Sequence, residues 1–402
     1  MITLPTSDYR GMAVQEFDTS KLLQHAAKQA RDRNYDDLLI VDVDAHHYET
    51  ESIGEILEYI EDPVQRQLAK SAHLTVGALR NVIGYQDLGG RVTRYPLRKY
   101  EKTPPGEREI TVARRWMDAM GTDIAFLFPT PMLLLGTDPR HEYEVALARA
   151  YNRWVTEKVL PSEPRLKSLL YLPFNTPQAC EKIVEDFADK PGVVGFMVTT
   201  PRYVAVHDNA YMRTYAMMEE RGLPLVFHAN YSWDDRMLQM ANRFITVHAL
   251  GFCFYTMMHL TNWIINGLPE RFPKLRTGWM ESGVAWIPFM MQRLDNEYMM
   301  RSSEAPLLKK LPSDYMREMF FSTQPIERVK NLSILEETFA LMKADTQLMW
   351  SSDYPHWDFD LPSVIYDLPF LDERAKRNIL GENALRLFNL EVPQKLAQIP
   401  AA

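Results

Sequence analysis

The run Asp42-Val43-Asp44-Ala45-His46-His47-Tyr48-Glu49 sets three acids and two histidines directly after the apolar stretch Leu38-Leu39-Ile40-Val41. Buried charge is costly unless it is paired or bound to a metal. In an extended strand Asp44 and His46 are two residues apart, share a face and can grip one cation together, while His47 points the other way. Further apolar runs end in the same kind of side chain. One ends in His228, one in Glu281, and one in Asp353 followed by Tyr354-Pro355-His356. Asp44, His46, His228 and Asp353 form a mixed nitrogen and oxygen set that suits Zn²⁺, Fe²⁺ or Mn²⁺ rather than a thiolate-loving metal. A five- or six-coordinate ion in such a set keeps positions open for water, so the site is expected to be catalytic. His248 is a candidate second-metal ligand or proton carrier. Glu49 is a candidate supporting or bridging carboxylate, and Glu281 a candidate general base or second-metal ligand. His356 is expected to orient Asp353, because ligands need partners of their own.

These residues need a frame that brings strand ends together. Strands are expected at 38–44, 123–129, 168–173, 193–200, 223–228, 276–281, 319–322 and 348–353. Helical spacing fills 142–159, 176–188, 210–221, 254–265, 285–298 and 326–341, with a closing helix pair at 374–390. Alternation of this kind calls for an α/β fold with a parallel sheet. Eight repeats with polar strand ends suit a (β/α)8 TIM barrel, whose chemistry sits at the C-terminal ends of the strands. Residues 1–35 read as an N-terminal arm with one short helix near 20–33, residues 36–392 as the barrel, and residues 393–402 as a tail. A long polar insert after strand one, 75–115, reads as a lid or an oligomer contact. Its Arg80, Tyr85, Arg91 and Arg94 are candidates for holding a substrate carboxylate, since the Arg fork matches that group.

Composition narrows the partners. The chain has 402 residues, 46% hydrophobic and 24% charged, as expected of a globular protein with a large core. A net charge of -8 weighs against nucleic acid or an anionic membrane as partner. Cys180 and Cys253 make neither a disulfide framework nor a cysteine-rich zinc site, and reduced thiols in the cytoplasm are expected. The opening residues lack a signal pattern, and no uninterrupted apolar run of membrane-spanning length is evident, so no span is expected.

Five stretches carry a family resemblance: VDVDAHHYE at 41–49, NGLPERFPKLRTGWMESGVAWIP at 266–288, FFSTQPIE at 320–327, MWSSDYPHWD at 349–358 and GENALRLF at 381–388. With them the chain resembles the amidohydrolase superfamily, nearest its amidohydrolase-related branch, which includes the aminocarboxymuconate-semialdehyde decarboxylase-like enzymes. The resemblance implies a distorted barrel with a divalent metal at its mouth. Asp44 and His46 match the acid-x-His pair of the first motif, His228 the strand-five histidine and Asp353 the strand-eight aspartate. It further implies an enzyme that hydrolyses or decarboxylates a small carboxylated substrate with a metal-activated water, Glu281 or His248 moving the proton. Glu281 stands where decarboxylases of this branch often carry a histidine, which weighs against decarboxylation. Strand four ends in Thr199-Thr200 without a lysine, so a carbamylated-lysine dinuclear centre is not expected. His47, Glu49, His248 and Glu281 leave a second metal open. The alternative is therefore a dinuclear Fe or Fe/Mn oxygenase or thioesterase, as in the sub-branch with an α-aminoisobutyrate hydroxylase subunit. A homodimer, or a hetero-oligomer with a paralogous chain, is expected by analogy.

Overall fold

The computed structural model describes residues 19–49, 52–72, 107–232, 235–327, 331–356 and 358–392. Arg80, Tyr85, Arg91 and Arg94 lie outside them. Eight strands form one parallel sheet: β1 Val41–His47, β2 Ile124–Pro129, β3 Leu166–Tyr171, β4 Val193–Thr199, β5 Leu225–His228, β6 Thr277–Met280, β7 Phe320–Ser322 and β8 Leu348–Met349. Their spatial order is their order in the chain. Most strand residues are apolar and nearly all are buried, because helices cover one face and the barrel core fills the other. The circle closes through single backbone bonds rather than a ladder. Val43 N–H donates to the Trp350 carbonyl (3.3 Å), Asp353 N–H to that of Asp44 (2.7 Å) and His46 N–H to that of Tyr354 (2.8 Å).

β1 starts three residues later than expected and runs to His47, past Asp44. Its register against β2 shifts between Asp42 and Ala45, a bulge that re-aims the side chains beyond it. β8 is shorter than expected: only Leu348 and Met349 pair, since the backbone after them turns to bond β1 and the carbonyl of Ile379 in the helical turn Asn378–Glu382. Asp42 is the fastener here. Its buried carboxylate accepts the backbone N–H of Ser352 (2.8 Å) and of Asp44 (3.2 Å), and the Ser352 hydroxyl. Burial pushes its pKa up to about 8, against the pull of those bonds.

Three sequence expectations need correction. The end of the supposed polar insert is helix: Arg108–Met120 buries Ile110, Ala113, Trp116, Met117 and Met120, a 3.6-residue pattern masked by its arginines. The arm helix Thr19–Asp32 belongs to the main core through Leu22, Leu23 and Ala26. The fifth helix, expected at 254–265, spans Phe244–Ile265, so His248 is helical. That helix is long and apolar enough to cross a membrane by length and composition, because its Thr, His and Asn residues interrupt the apolar run without adding charge. It packs on the main core through Leu260, Trp263 and Ile264, and its Phe244, Val247 and Phe252 form a smaller cluster with Tyr231 and Leu238.

A buried ion pair ties the helix His141–Trp154, the end of β3 and the loop after β4 together. Arg202 Nη2 donates to Glu144 Oε1 (2.9 Å) and to the Tyr171 hydroxyl (2.7 Å), both within the interior. Gly136, in the turn Pro131–Thr137, leaves no room beside this guanidinium: a Cβ there would lie 2.5 Å from Arg202 Cζ. Gly136→Ala is therefore expected to cost about 1–3 kcal/mol through overpacking, read as a lowered denaturant midpoint at unchanged slope.

Candidate metal centre

Asp44 and His46 lie on one face of β1, and His228 ends β5. Glu281 follows β6 directly and Asp353 lies in the segment beyond β8, each with a left-handed backbone, φ 57° and 58°. Such conformations are uncommon for residues other than glycine, cost about 1–3 kcal/mol each and cluster at functional sites. They are held by hydrogen bonds from their own amides, Glu281 N–H to Ser322 Oγ (2.9 Å) and Asp353 N–H to the Asp44 carbonyl (2.7 Å).

One ligand atom from each of Asp44, His46, His228 and Glu281 falls within a 4.8 Å cluster, and so does one from each of His46, Asp353 and His356. The two groups share His46. Every member is buried. The two imidazoles explain what the cluster is for. His46 Nδ1 faces the Pro129 carbonyl (3.1 Å) and His228 Nδ1 the Ala229 carbonyl (2.8 Å). A carbonyl only accepts, so each Nδ1 carries the proton and each Nε2 keeps a lone pair. Those lone pairs point at the same acceptor: His46 Nε2 is 3.1 Å and His228 Nε2 3.0 Å from Asp44 Oδ1. Asp353 Oδ1 is 3.3 Å from His46 Nε2. Asp44 Oδ2, His46 Nε2, Glu281 Oε2 and Asp353 Oδ2 have no hydrogen-bond partner although buried. Lone pairs converging without a donor are repulsive, and a cation among them reverses the sign. The donor set thus fits a divalent ion held by Asp44, His46, His228 and Asp353, with Glu281 beside it.

The electrostatics agree. Burial pushes the Glu281 carboxyl well above its ordinary range, and the negative charges of Asp44 and Asp358 push it further. Burial raises Asp353 in the same way, reinforced by Glu281 and Asp358. Burial works to raise Asp44 too; only positive charge or a proton on the facing Nε2 atoms of His228 and His46 outweighs it and holds Asp44 below the usual carboxylate range, and that is the place a cation would take. Burial lowers His46 and His356, so both stay neutral, as a metal ligand and its neighbour require.

The expected residues do not all converge. His356 meets its expected role: its Nδ1 lies 2.6 Å from Asp353 Oδ1, donating to it. His47 faces the other side of the strand, 2.9 Å from the Tyr151 hydroxyl and 3.3 Å from Glu109 Oε2. Glu49 belongs to neither ligand group, because both its oxygens accept backbone amides, Thr130 N–H (2.8 Å) and Met132 N–H (2.5 Å). His248 also stands apart, since its helix starts early and turns it toward Asp358 Oδ2 (3.6 Å) and the rings of Phe244 and Phe252. Two contributors went unread in the sequence. Thr130 places its hydroxyl 3.1 Å from His356 Nε2, and Asp358 adds charge near Glu281 and Asp353. Thr130 follows β2, so the rule that barrel chemistry sits at strand ends could have found it.

Known proteins share this frame. A 5-carboxyvanillate decarboxylase from Sphingomonas paucimobilis superposes with a TM-score of 0.64 at 20% identity, over 88% of this chain and 100% of that one. The 5-carboxyvanillate decarboxylase of Novosphingobium aromaticivorans, complexed with manganese and 4-hydroxy-3-methoxy-5-nitrobenzoic acid, gives 0.65 at 19%, over 88% and 97%. A 2,6-dihydroxybenzoate decarboxylase from Rhizobium gives 0.61 at 18%, over 88% and 98%. At such identities the likeness is one of fold. The sequence model of the amidohydrolase family matches residues 43–390, the stretch that carries every strand-end residue of the metal centre. The chain belongs to the amidohydrolase family.

Proposed function

We propose that the protein is a metal-dependent enzyme acting on a small carboxylated substrate, with decarboxylation of a phenolic acid as the first reading and hydrolysis as the second. The observation that carries the metal is the pair of imidazoles with Nδ1 committed to backbone carbonyls and both Nε2 lone pairs aimed at Asp44 Oδ1. When bound, a divalent ion supplies Lewis-acid polarisation of a substrate oxygen and, for hydrolysis, an activated water. The rest is the work of the chain. His46 and His228 are locked in one tautomer, so the site is preorganised before anything binds.

Glu281 holds its proton unusually tightly, and one of its oxygens lies within the cluster of Asp44, His46 and His228. Decarboxylation exchanges a carboxylate for a proton: the carbon–carbon bond breaks, CO₂ leaves, and the electron pair on carbon takes a proton. A carboxyl that holds its proton more tightly than usual can deliver it and recover one from solvent. Glu281 thus takes the place where decarboxylases of this branch often carry a histidine. His248 and Asp358, half-buried and paired, are the proposed path for the returning proton. The solved decarboxylases of the same fold support this reading, and manganese in one of them makes Mn²⁺ the first metal to test.

The test loads the metal-free protein with Mn²⁺ and offers phenolic carboxylic acids in D₂O, alongside esters and amides of the same acids. We expect one Mn²⁺ per chain and CO₂ release, with deuterium on the carbon that lost its carboxyl group. Ester or amide cleavage without CO₂ would move the assignment to hydrolysis. Two irons per chain with oxygen consumption would overturn both readings.

A further inference from the structure

We propose that Glu49 is a positioning residue that sets the metal affinity of the site without touching the metal. The inference rests on the metal reading above. Glu49 is fully buried just beyond the end of β1. Its carboxylate bridges two backbone amides of the next wall of the barrel, those of Thr130 and Met132. The peptide it grips is the one that orients the site. Pro129 offers the carbonyl that fixes the tautomer of His46, and Thr130 offers the hydroxyl that meets Nε2 of His356. His356 in turn donates to Asp353. One carboxylate therefore stands behind two expected ligands through a single dipeptide, Pro129-Thr130. An acid without this task would be a poor occupant of the position, because burying it is costly and a neutral amide cannot accept two amides at once as a bidentate anion can.

Outer partners of this kind typically alter metal affinity by about 10–100-fold, because a ligand that must be ordered on binding holds the ion less well. The alternative role, direct ligation, predicts a different signature: a change in stoichiometry. The test measures Mn²⁺ binding by chelator competition in the wild type, Glu49→Gln, Glu49→Ala, Thr130→Val and the Glu49→Ala/Thr130→Val double variant. Melting curves of each metal-free protein are run alongside.

The expected result is one Mn²⁺ per chain throughout, a dissociation constant raised about 10–100-fold in Glu49→Ala, and a smaller rise in Glu49→Gln. The double variant should fall short of the sum of the singles, since both act through one peptide. Several outcomes would overturn the proposal. A lower stoichiometry in Glu49→Gln would make Glu49 a ligand. Unchanged affinity beside a lowered melting temperature would make it merely structural. Strict additivity would place its effect elsewhere than Thr130. A wild type that binds no Mn²⁺ would instead sink the metal reading itself, and this inference with it.

Discussion

Stripping the divalent metal by dialysis against a chelator is expected to remove activity by roughly 10³-fold or more, because several kcal/mol of Lewis-acid stabilisation is lost and about 1.4 kcal/mol is a factor of ten. Re-adding Mn²⁺ should restore it. The same treatment should lower stability, since an ion that binds only the folded state contributes about 2.7 kcal/mol at a hundredfold excess over its dissociation constant. His228→Ala should reproduce both losses and resist rescue by Mn²⁺. The physical reason is that Asp44, Glu281 and Asp353 are buried together, and without a cation the site must protonate or repel. Full activity in the metal-free protein, measured by CO₂ release, would remove the basis of the proposal.

That requirement also gives the stability a pH signature. Burial pushes the carboxyl of Asp42 up to about 8 and that of Glu49 to about 7, and it pushes Glu281 and Asp353 well above the ordinary carboxylate range. A raised carboxyl pKa means that the folded state holds its proton more tightly than the unfolded one, so stability falls as pH rises. His46 and His356 act oppositely, but only below the ordinary histidine value of 6.5. Asp44, held low, already contributes fully there. Between pH 6.5 and 8 the metal-free protein should therefore lose melting temperature. The metal-loaded protein should lose less, because metal binding is itself favoured by deprotonated ligands. The gap between the two melting curves should widen with pH. A constant gap would argue that no carboxylate of the site releases a proton on binding.

The second large effect is expected at Glu281. Glu281→Gln keeps the shape of the side chain and removes the transferable proton, so the rate should fall about 10²–10⁴-fold. Mn²⁺ stoichiometry should stay at one, because Asp44, His46, His228 and Asp353 remain. With the wild type, activity that depends on protonated Glu281 should decline as pH rises through its raised pKa, and the variant's residual rate should lose that limb. Loss of metal together with activity would instead make Glu281 a ligand. A variant as fast as the wild type would pass the proton-donor role to His248, which a His248→Ala variant then tests.

The sequence by itself determined the architecture and the core of the site. Alternating apolar runs and helical spacing fix a parallel barrel, and a barrel sends strand-end side chains to one mouth. Asp44, His46, His228, Glu281 and Asp353 could be chosen because each sits at such an end, a one-dimensional fact. His356 was legible for the same reason, three residues from its partner. What the tertiary structure decided concerns contacts that spacing does not encode. Glu49 is three residues from His46, yet its oxygens turn to the amides after β2, because β2 is its neighbour in space. His248 follows the strand-five loop, yet an early helix start carries it to Asp358. Asp358 carries no local signal and gains meaning only beside Glu281, and Thr130, marked only by the end of β2, gains its meaning beside His356. The run Asp42 to Glu49 therefore splits into three parts: a fastener at Asp42, the proposed metal grip at Asp44 and His46, and a wall anchor at Glu49. The period of a strand sets which face a side chain takes, but only packing decides which neighbour it finds there.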